Sequence, residues 1–183
     1  MLTAESFERY FITDRLLLRP WEPTDAYDLY AVAKDEEVAR FAGWLHHTSP
    51  EYSMKIIDGV LSYPGTYAIV PKSVGKAVGS ISLKHGEDTN ITLCDGEAEL
   101  GYWIGKDYWG NGYVPEAAKT LIDYGLNKLR LSRIWCICRT DNHRSMRVQD
   151  KCGFRFVRNG TINDPVYGEL EMRFTCIDGE RSA

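Results

Sequence analysis

The stretch Tyr102–Ala118, YWIGKDYWGNGYVPEAA, puts three glycines, three tyrosines and two tryptophans where a strand hands over to a helix. Ahead of the turn, Ala98 to Ile104 alternates. Ala98, Leu100, Tyr102 and Ile104 share one side, and Glu99, Gly101 and Trp103 the other, the period-2 pattern of a strand. Behind it, Ala117, Ala118, Leu121, Ile122, Gly125, Leu126 and Leu129 fall on one stripe of a helix from Val114 to Leu129, with Pro115 acceptable in the first turn. Gly110, Asn111, Gly112 and Tyr113 then make the turn whose amides open that helix. The first N–H groups of a helix have no internal acceptor, the aligned peptide dipoles favour an anion, and glycine lets a phosphate approach without meeting a Cβ. Glycines also serve plain turn geometry, so the loop alone leaves both readings open. The spacing matches neither GxxxxGK[ST] nor GxGxxG, since Tyr113, Val114 and Pro115 follow Gly112, which argues against nucleotide hydrolysis and dinucleotide binding.

Around this centre, strand patterns run over Arg15 to Arg19, Thr66 to Val70, Ala77 to Leu83, Arg133 to Arg139, Phe154 to Val157 and Leu170 to Cys176. The turn KSVGK joins the second and third of these into a hairpin. Helices are expected over Asp25 to Ala33 with Thr24 as cap, Glu36 to Phe41, Pro50 to Leu61 with Ser49 as cap, and His143 to Lys151. Asn142 can cap the last of these, and Gly153 can end it. Neither strict βαβ alternation nor a pure hairpin series fits this order. The expected fold class is α+β in three layers, a mixed sheet of about seven strands flanked by helices. No repeat or linker divides the chain, so 1–183 reads as one domain with a core over about 12–177.

The 183 residues are 44% hydrophobic and 26% charged, enough apolar material for one sizeable core. A net charge of −4 with both signs scattered gives no basic footprint for nucleic acid. No apolar run reaches the roughly 20 residues of a membrane helix. The start MLTAESFERYF lacks a basic region followed by an apolar one, so a cytoplasmic location is expected. Cys94, Cys136, Cys138, Cys152 and Cys176 are odd in number and form no CxxC pair, which argues against a disulfide framework and a zinc site. Cys136 and Cys138 read as small buried hydrophobes on a strand. His46 and His47 have no carboxylate or cysteine at metal spacing and read as loop residues, so no metal is expected.

The segment AELGYWIGKDYWGNGYVPEA resembles the acetyl-CoA-binding segment of the GNAT N-acetyltransferases, whose signature is Gln/Arg-x-x-Gly-x-Gly/Ala; Gly110 and Gly112 match its glycines. TDNHRSMRVQDKCGF is similar to the family's Asn-x-x-Ser helix and the Lys-x-Gly-Phe element after it, and TDRLLLRPWEPTDA to its first strand and helix. The order of elements agrees along nearly the whole chain. Trp-Gly-x-Gly-Tyr, Asn142 with Ser145, and the RLLLRP start resemble the ribosomal-protein N-terminal acetyltransferase branch. Asp107 departs from the pattern, standing where Gln or Arg is expected, and leaves more of the diphosphate to backbone contacts.

The resemblance implies an acyl-CoA N-acyltransferase fold, acetyl-CoA as cosubstrate, and direct attack of a primary amine in a ternary complex without a covalent enzyme intermediate. The amine would belong to a protein N-terminus or a small molecule. It further implies that Gly110, Asn111, Gly112, Tyr113 and Val114 hold the diphosphate. Backbone groups of Tyr102, Trp103 and Ile104 would pair with the pantetheine arm, and Asn142 would bond it while capping its helix. Glu99 takes the place of a general base, and Ser145 that of the group that protonates the thiolate or touches the thioester sulfur. Each has a structural alternative: Glu99 in a cross-strand pair, Ser145 inside a capped first turn. Lys151 reads either as a phosphate contact or as a solvated helix end, and Trp109 as a brace for the phosphate turn. RFAGWLHHTS, from Arg40 to Ser49, and a hairpin around Asn163 to Gly168 are the expected acceptor loops. A sensor or interaction module that keeps the acyl-CoA cleft without turnover stays as an alternative, and a homodimer is one of the open oligomeric states.

Overall fold

A computed structural model describes residues 3–86 and 89–179. Among these, eight strands form one mixed sheet: β1 (Phe11–Ile12), β2 (Leu16–Arg19), β3 (Thr66–Pro71), β4 (Gly79–Lys84), β5 (Glu97–Ile104), β6 (Arg133–Arg139), β7 (Arg155–Asp164) and β8 (Gly168–Asp178). Their order in space is β1-β2-β3-β4-β5-β6-β8-β7. Only β5 and β6 pair in parallel. A parallel pair needs a crossover, and α4 (Tyr113–Asp123) supplies it. The other helices are α1 (Ala26–Ala33), α2 (Glu36–Ala42), α3 (Pro50–Ile56) and α5 (His143–Lys151).

Alternation along the strands builds a core on each face of the sheet. On β3, Tyr67 and Ile69 join Leu100 of β5 and Ala117, Ala118 and Leu121 of α4 in one core. Ala68 and Val70 of the same strand face the other core, with Leu29 and Ala33 of α1 and Ile57 and Leu61 beyond α3. This explains why β3 is buried along its whole length. The result is three layers, with α4 and α5 on one side of the sheet and α1 and α3 on the other.

The structure differs from the sequence reading at five places. The eighth strand, β1, is two residues long, too short for alternation to show, and exists because Phe11 and Ile12 pair with Leu18 and Leu17. β7 runs on to Asp164 instead of stopping at Val157. It is an edge strand carried by its pairing to β8, so its polar run RNGTIND needs no buried face. The helices expected to reach Leu61 and Leu129 both finish in a wider π turn, at Ile57–Leu61 and Tyr124–Lys128. Asp25 organises the start of α1 rather than Thr24: its carboxylate accepts from Glu22 N at 2.9 Å and grips Arg19 through both oxygens, at 2.7 and 2.8 Å. That pair ties the end of β2 to the first helix.

Candidate active site

The parallel pairing of β5 and β6 covers only Glu97 to Glu99 against Arg133 to Trp135. Past that point the strands diverge and open a cleft of about 490 Å³, walled by Leu100 to Ile104 on one side and Cys136 to Arg139 on the other. Gly105 N donates to Val78 O at 2.8 Å. Residues of an antiparallel strand turn their backbone groups to alternate sides, and the register pairs Trp103 with Ser80 and Gly101 with Ser82. Trp103 and Gly101 therefore bond to β4, while Tyr102 and Ile104 present their backbone groups to the gap. Of the three strand residues expected along the pantetheine arm, two turn their backbone groups to the gap and Trp103 does not. The Ile104 carbonyl also accepts from the Trp109 indole at 3.0 Å, which fixes the start of the turn.

In that turn Gly110 and Gly112 have φ of +80° and +77°, backbone that L side chains rarely adopt. A Cβ on Gly110 would meet no atom within 4 Å. Gly112 is the N-cap of α4, and no side chain caps the helix there. Asn111 is exposed, Tyr113 half-buried and Val114 buried. Arg15, just before β2, flanks the turn. It donates to Asn111 O at 2.9 Å, pairs with Glu116 Oε2 at 2.7 Å and lies 5.1 Å from the centre of the Tyr113 ring. Burial pushes the Glu116 carboxyl up, but hydrogen bonds from Thr13 and Arg15 outweigh it and hold the group below its ordinary value. On the far side the Arg144 guanidinium stacks 3.7 Å from the centre of the Trp109 ring. Arg144 and Lys106 both pair with Glu37 of α2. Asp107 is exposed on the short turn Lys106–Tyr108. An open glycine turn with an uncapped helix start, beside a strand edge that no neighbouring strand covers, fits the diphosphate and the amide-bearing arm of coenzyme A.

The chemically able side chains approach the gap from opposite faces of β5. Glu99 lies on the face of Trp103 and is almost wholly buried. Its register partner on β4 is Lys84, yet both its oxygens accept from Asn90, at 2.7 Å from the backbone N–H and 2.6 Å from the side-chain amide. On the other face the Tyr102 hydroxyl lies 2.8 Å from Ser145 Oγ and 3.2 Å from Ser145 O. Ser145 N donates to the capping Asn142 Oδ1 at 3.0 Å, so one residue fixes the backbone of the other. Burial, with Cys136 close by, pushes the Tyr102 phenol well above its usual range and keeps it protonated. Burial likewise raises the Cys136 and Cys138 thiols, which leaves neither as a thiolate nucleophile. Gln149 donates to Cys136 Sγ at 3.5 Å, and its buried Oε1 has no hydrogen-bond partner among the described residues. Exchanging the two ends of that amide would let the oxygen accept from the thiol.

A sequence model described as Acetyltransferase (GNAT) domain matches residues 15–155. The chain belongs to the GNAT acetyltransferases. The GNAT match spans the strand gap, the glycine turn and the Asn142–Ser145 helix. The chain is 34% identical over 177 residues to the ribosomal-protein-serine acetyltransferase of Escherichia coli (strain K12), covering 86% of this chain and 96% of that protein. It is 29% identical over 157 residues to the uncharacterized N-acetyltransferase p20 of Bacillus licheniformis, covering 83% and 84%. The crystal structure of a GNAT-family acetyltransferase from Bacillus anthracis superposes with a TM-score of 0.80 at 21% identity, covering 92% of this chain and 98% of that one, a likeness of fold. The protein is thus an N-acetyltransferase, and acetyl-CoA is the donor typical of its family.

Several residues that shape this GNAT site lay outside the sequence reading. Asn90, which holds Glu99, comes from the loop before β5, and nothing in its spacing ties it to position 99. Arg15 and Thr13 meet Glu116 across more than a hundred residues. The RLLLRP and PEA motifs carried that signal, since an arginine opening a strand and an acid in a helix's first turn both call for a partner. Lys151 and Arg147 of α5 line the cleft, as do Arg40 to Leu45, His47 and Asp164 from the two expected acceptor loops. His47 lies in the loop between α2 and α3, as expected, and is buried there. Its Nδ1 lies 2.8 Å from Ser53 Oγ, and burial lowers its pKa, which favours neutral imidazole. Among the described residues no group of three His, Cys, Asp or Glu side chains could hold a metal ion.

Proposed function

We propose that this GNAT enzyme acetylates a primary amine by direct attack within a ternary complex. The single observation that carries the reading is the gap between β5 and β6, open beyond Glu99 and approached by Glu99 from one face and by Ser145 and Tyr102 from the other. Acetyl-CoA supplies the activated acyl group. Tyr102 and Ile104 backbone groups hold the pantetheine arm, with Asn142 beside it, and the amides of Gly110 to Val114 hold the diphosphate, Arg15 bracing the turn. The amine must enter neutral. Glu99, oriented by Asn90, accepts the proton that the amine sheds, directly or through water. Nitrogen bonds to the carbonyl carbon, the C–S bond breaks, and Ser145, itself bonded to Tyr102, donates the proton that leaves CoA as a thiol. The raised thiols of Cys136 and Cys138 support transfer without an acyl-cysteine.

The name of the Escherichia coli relative supports a protein acceptor. A serine residue carries a free amine only at the start of a chain, so an N-terminal α-amine is the acceptor that this likeness favours. The test is to mix the enzyme with acetyl-CoA and a panel of α-amino peptides, polyamines and aminoglycosides, following released CoA and the acetylated nitrogen by mass spectrometry. Release with at least one class is expected. Silence across the panel, with CoA still bound in calorimetry, would turn the reading toward a non-catalytic acyl-CoA sensor.

A further inference from the structure

Resting on that proposed activity, we infer that the acceptor is a single amine borne on an aromatic or bulky apolar body, not a polycation. The acceptor side of the cleft is a run of rings. Trp103 stands 6.0 Å from Trp21 and 5.7 Å from Trp44, Trp44 lies 5.2 Å from His47, and His47 lies 5.1 Å from Tyr52. The run leads from the face of β5 that carries Glu99 out to the surface. At its mouth Leu45, Tyr52 and Val60 are 63%, 39% and 64% exposed while lining the same cleft. An aromatic or branched apolar group in this channel would complete the stacking and cover those side chains.

Charge points the same way. Among the described residues two carboxylates line the cleft: Glu99, whose oxygens accept from Asn90, and Asp164, whose Oδ1 accepts from the N–H groups of Val166 and Tyr167 at 2.8 and 2.9 Å. Lys84 opposes Glu99 on β4, and Arg147 and Lys151 of α5 line the same cleft. Burial keeps His47 neutral. The reacting amine arrives neutral and gives Glu99 the proton it sheds on attack. A second or third ammonium, as in a polyamine or aminoglycoside, would meet a lining of rings in which, among the described residues, cations outnumber carboxylates.

The experiment compares kcat/KM for phenethylamine with ethylamine, and for a peptide beginning with Phe with the same peptide beginning with Gly, with spermidine and kanamycin as polycations. The expected result is a preference of about tenfold or more for the aromatic member of at least one pair, and for it over both polycations. The pair that shows the preference tells a free arylalkylamine from a chain N-terminus. Trp44→Ala, checked for fold by its unchanged CoA affinity, should shrink the aromatic-to-plain ratio by about tenfold. Better turnover of spermidine or kanamycin, or ratios near one in both pairs, would overturn the inference and leave the acetyltransferase reading standing. Silence with every amine would remove both.

Discussion

Replacing Gly110 by alanine separates the strain of the turn from its role in binding. With φ at +80°, the added Cβ costs about 1–2 kcal/mol of backbone strain. In a chain of this size that lowers Tm by about 2–8 °C. No protein atom lies within 4 Å of the new methyl, so the free enzyme pays no clash beyond that. The same methyl stands on the open side of the turn, where the diphosphate of CoA is proposed to lie. Pushing aside one hydrogen bond to a charged oxygen forfeits about 1.5–3 kcal/mol, a loss of about ten- to hundredfold in affinity. Gly75, with φ of +70° and equally open space in the β3–β4 turn, provides the control. Gly75→Ala should lower Tm by a similar amount and leave CoA affinity alone. Titration calorimetry with CoA and with pantetheine, which lacks the diphosphate, reads the difference: Gly110→Ala should weaken CoA and spare pantetheine. Wild-type CoA affinity in Gly110→Ala, alongside the Tm loss, would refute the placement of the diphosphate on this turn.

Other outcomes follow from the same geometry. Glu99→Gln should lower kcat by about 10²–10⁴ with CoA affinity within about twofold of wild type. The Asn90 amide can turn its oxygen to the new Nε2, so the fold is kept, and unchanged turnover would remove Glu99 from the chemistry. Ser145→Ala should cut kcat by about tenfold or more while CoA still binds, since the Tyr102 hydroxyl retains Ser145 O at 3.2 Å. Equal activity would return Ser145 to a purely structural place. Glu116→Gln tests the brace of the turn through pH. A carboxyl whose folded pKa lies below the ordinary value of 4.5 stabilises fully above that value, and the gain fades as pH falls through the depressed one. The partly exposed pair with Arg15 warrants about 1 kcal/mol after screening, so wild type should melt about 2–4 °C above the variant at pH 7. The gap should close in the acid range below 4.5; a gap constant from neutral pH to about pH 3 would show that the carboxylate is not what the brace uses.

The sequence by itself determined whatever depends on neighbours in the chain. Alternation marked β5, the stripe from Ala117 to Ile122 marked α4, and the glycines between them marked the turn, because a pleat, a helical face and a positive φ leave local signs. Asn142 was legible as a cap for the same reason, its partner Ser145 being three residues away. Tertiary structure decided what depends on partners far along the chain. Only pairing shows that β5 and β6 part company after Glu99, and only the ladder shows that Trp103 turns its backbone to β4 while Tyr102 and Ile104 face the gap. Beyond Val157 the edge strand β7 is largely polar and is held by β8, so that part carries no hydrophobic period to read. Asn90 against Glu99, Arg15 against Glu116 and the ring run from Trp103 to Tyr52 join separate segments. Their distances are set by how the layers pack, which one-dimensional spacing does not encode.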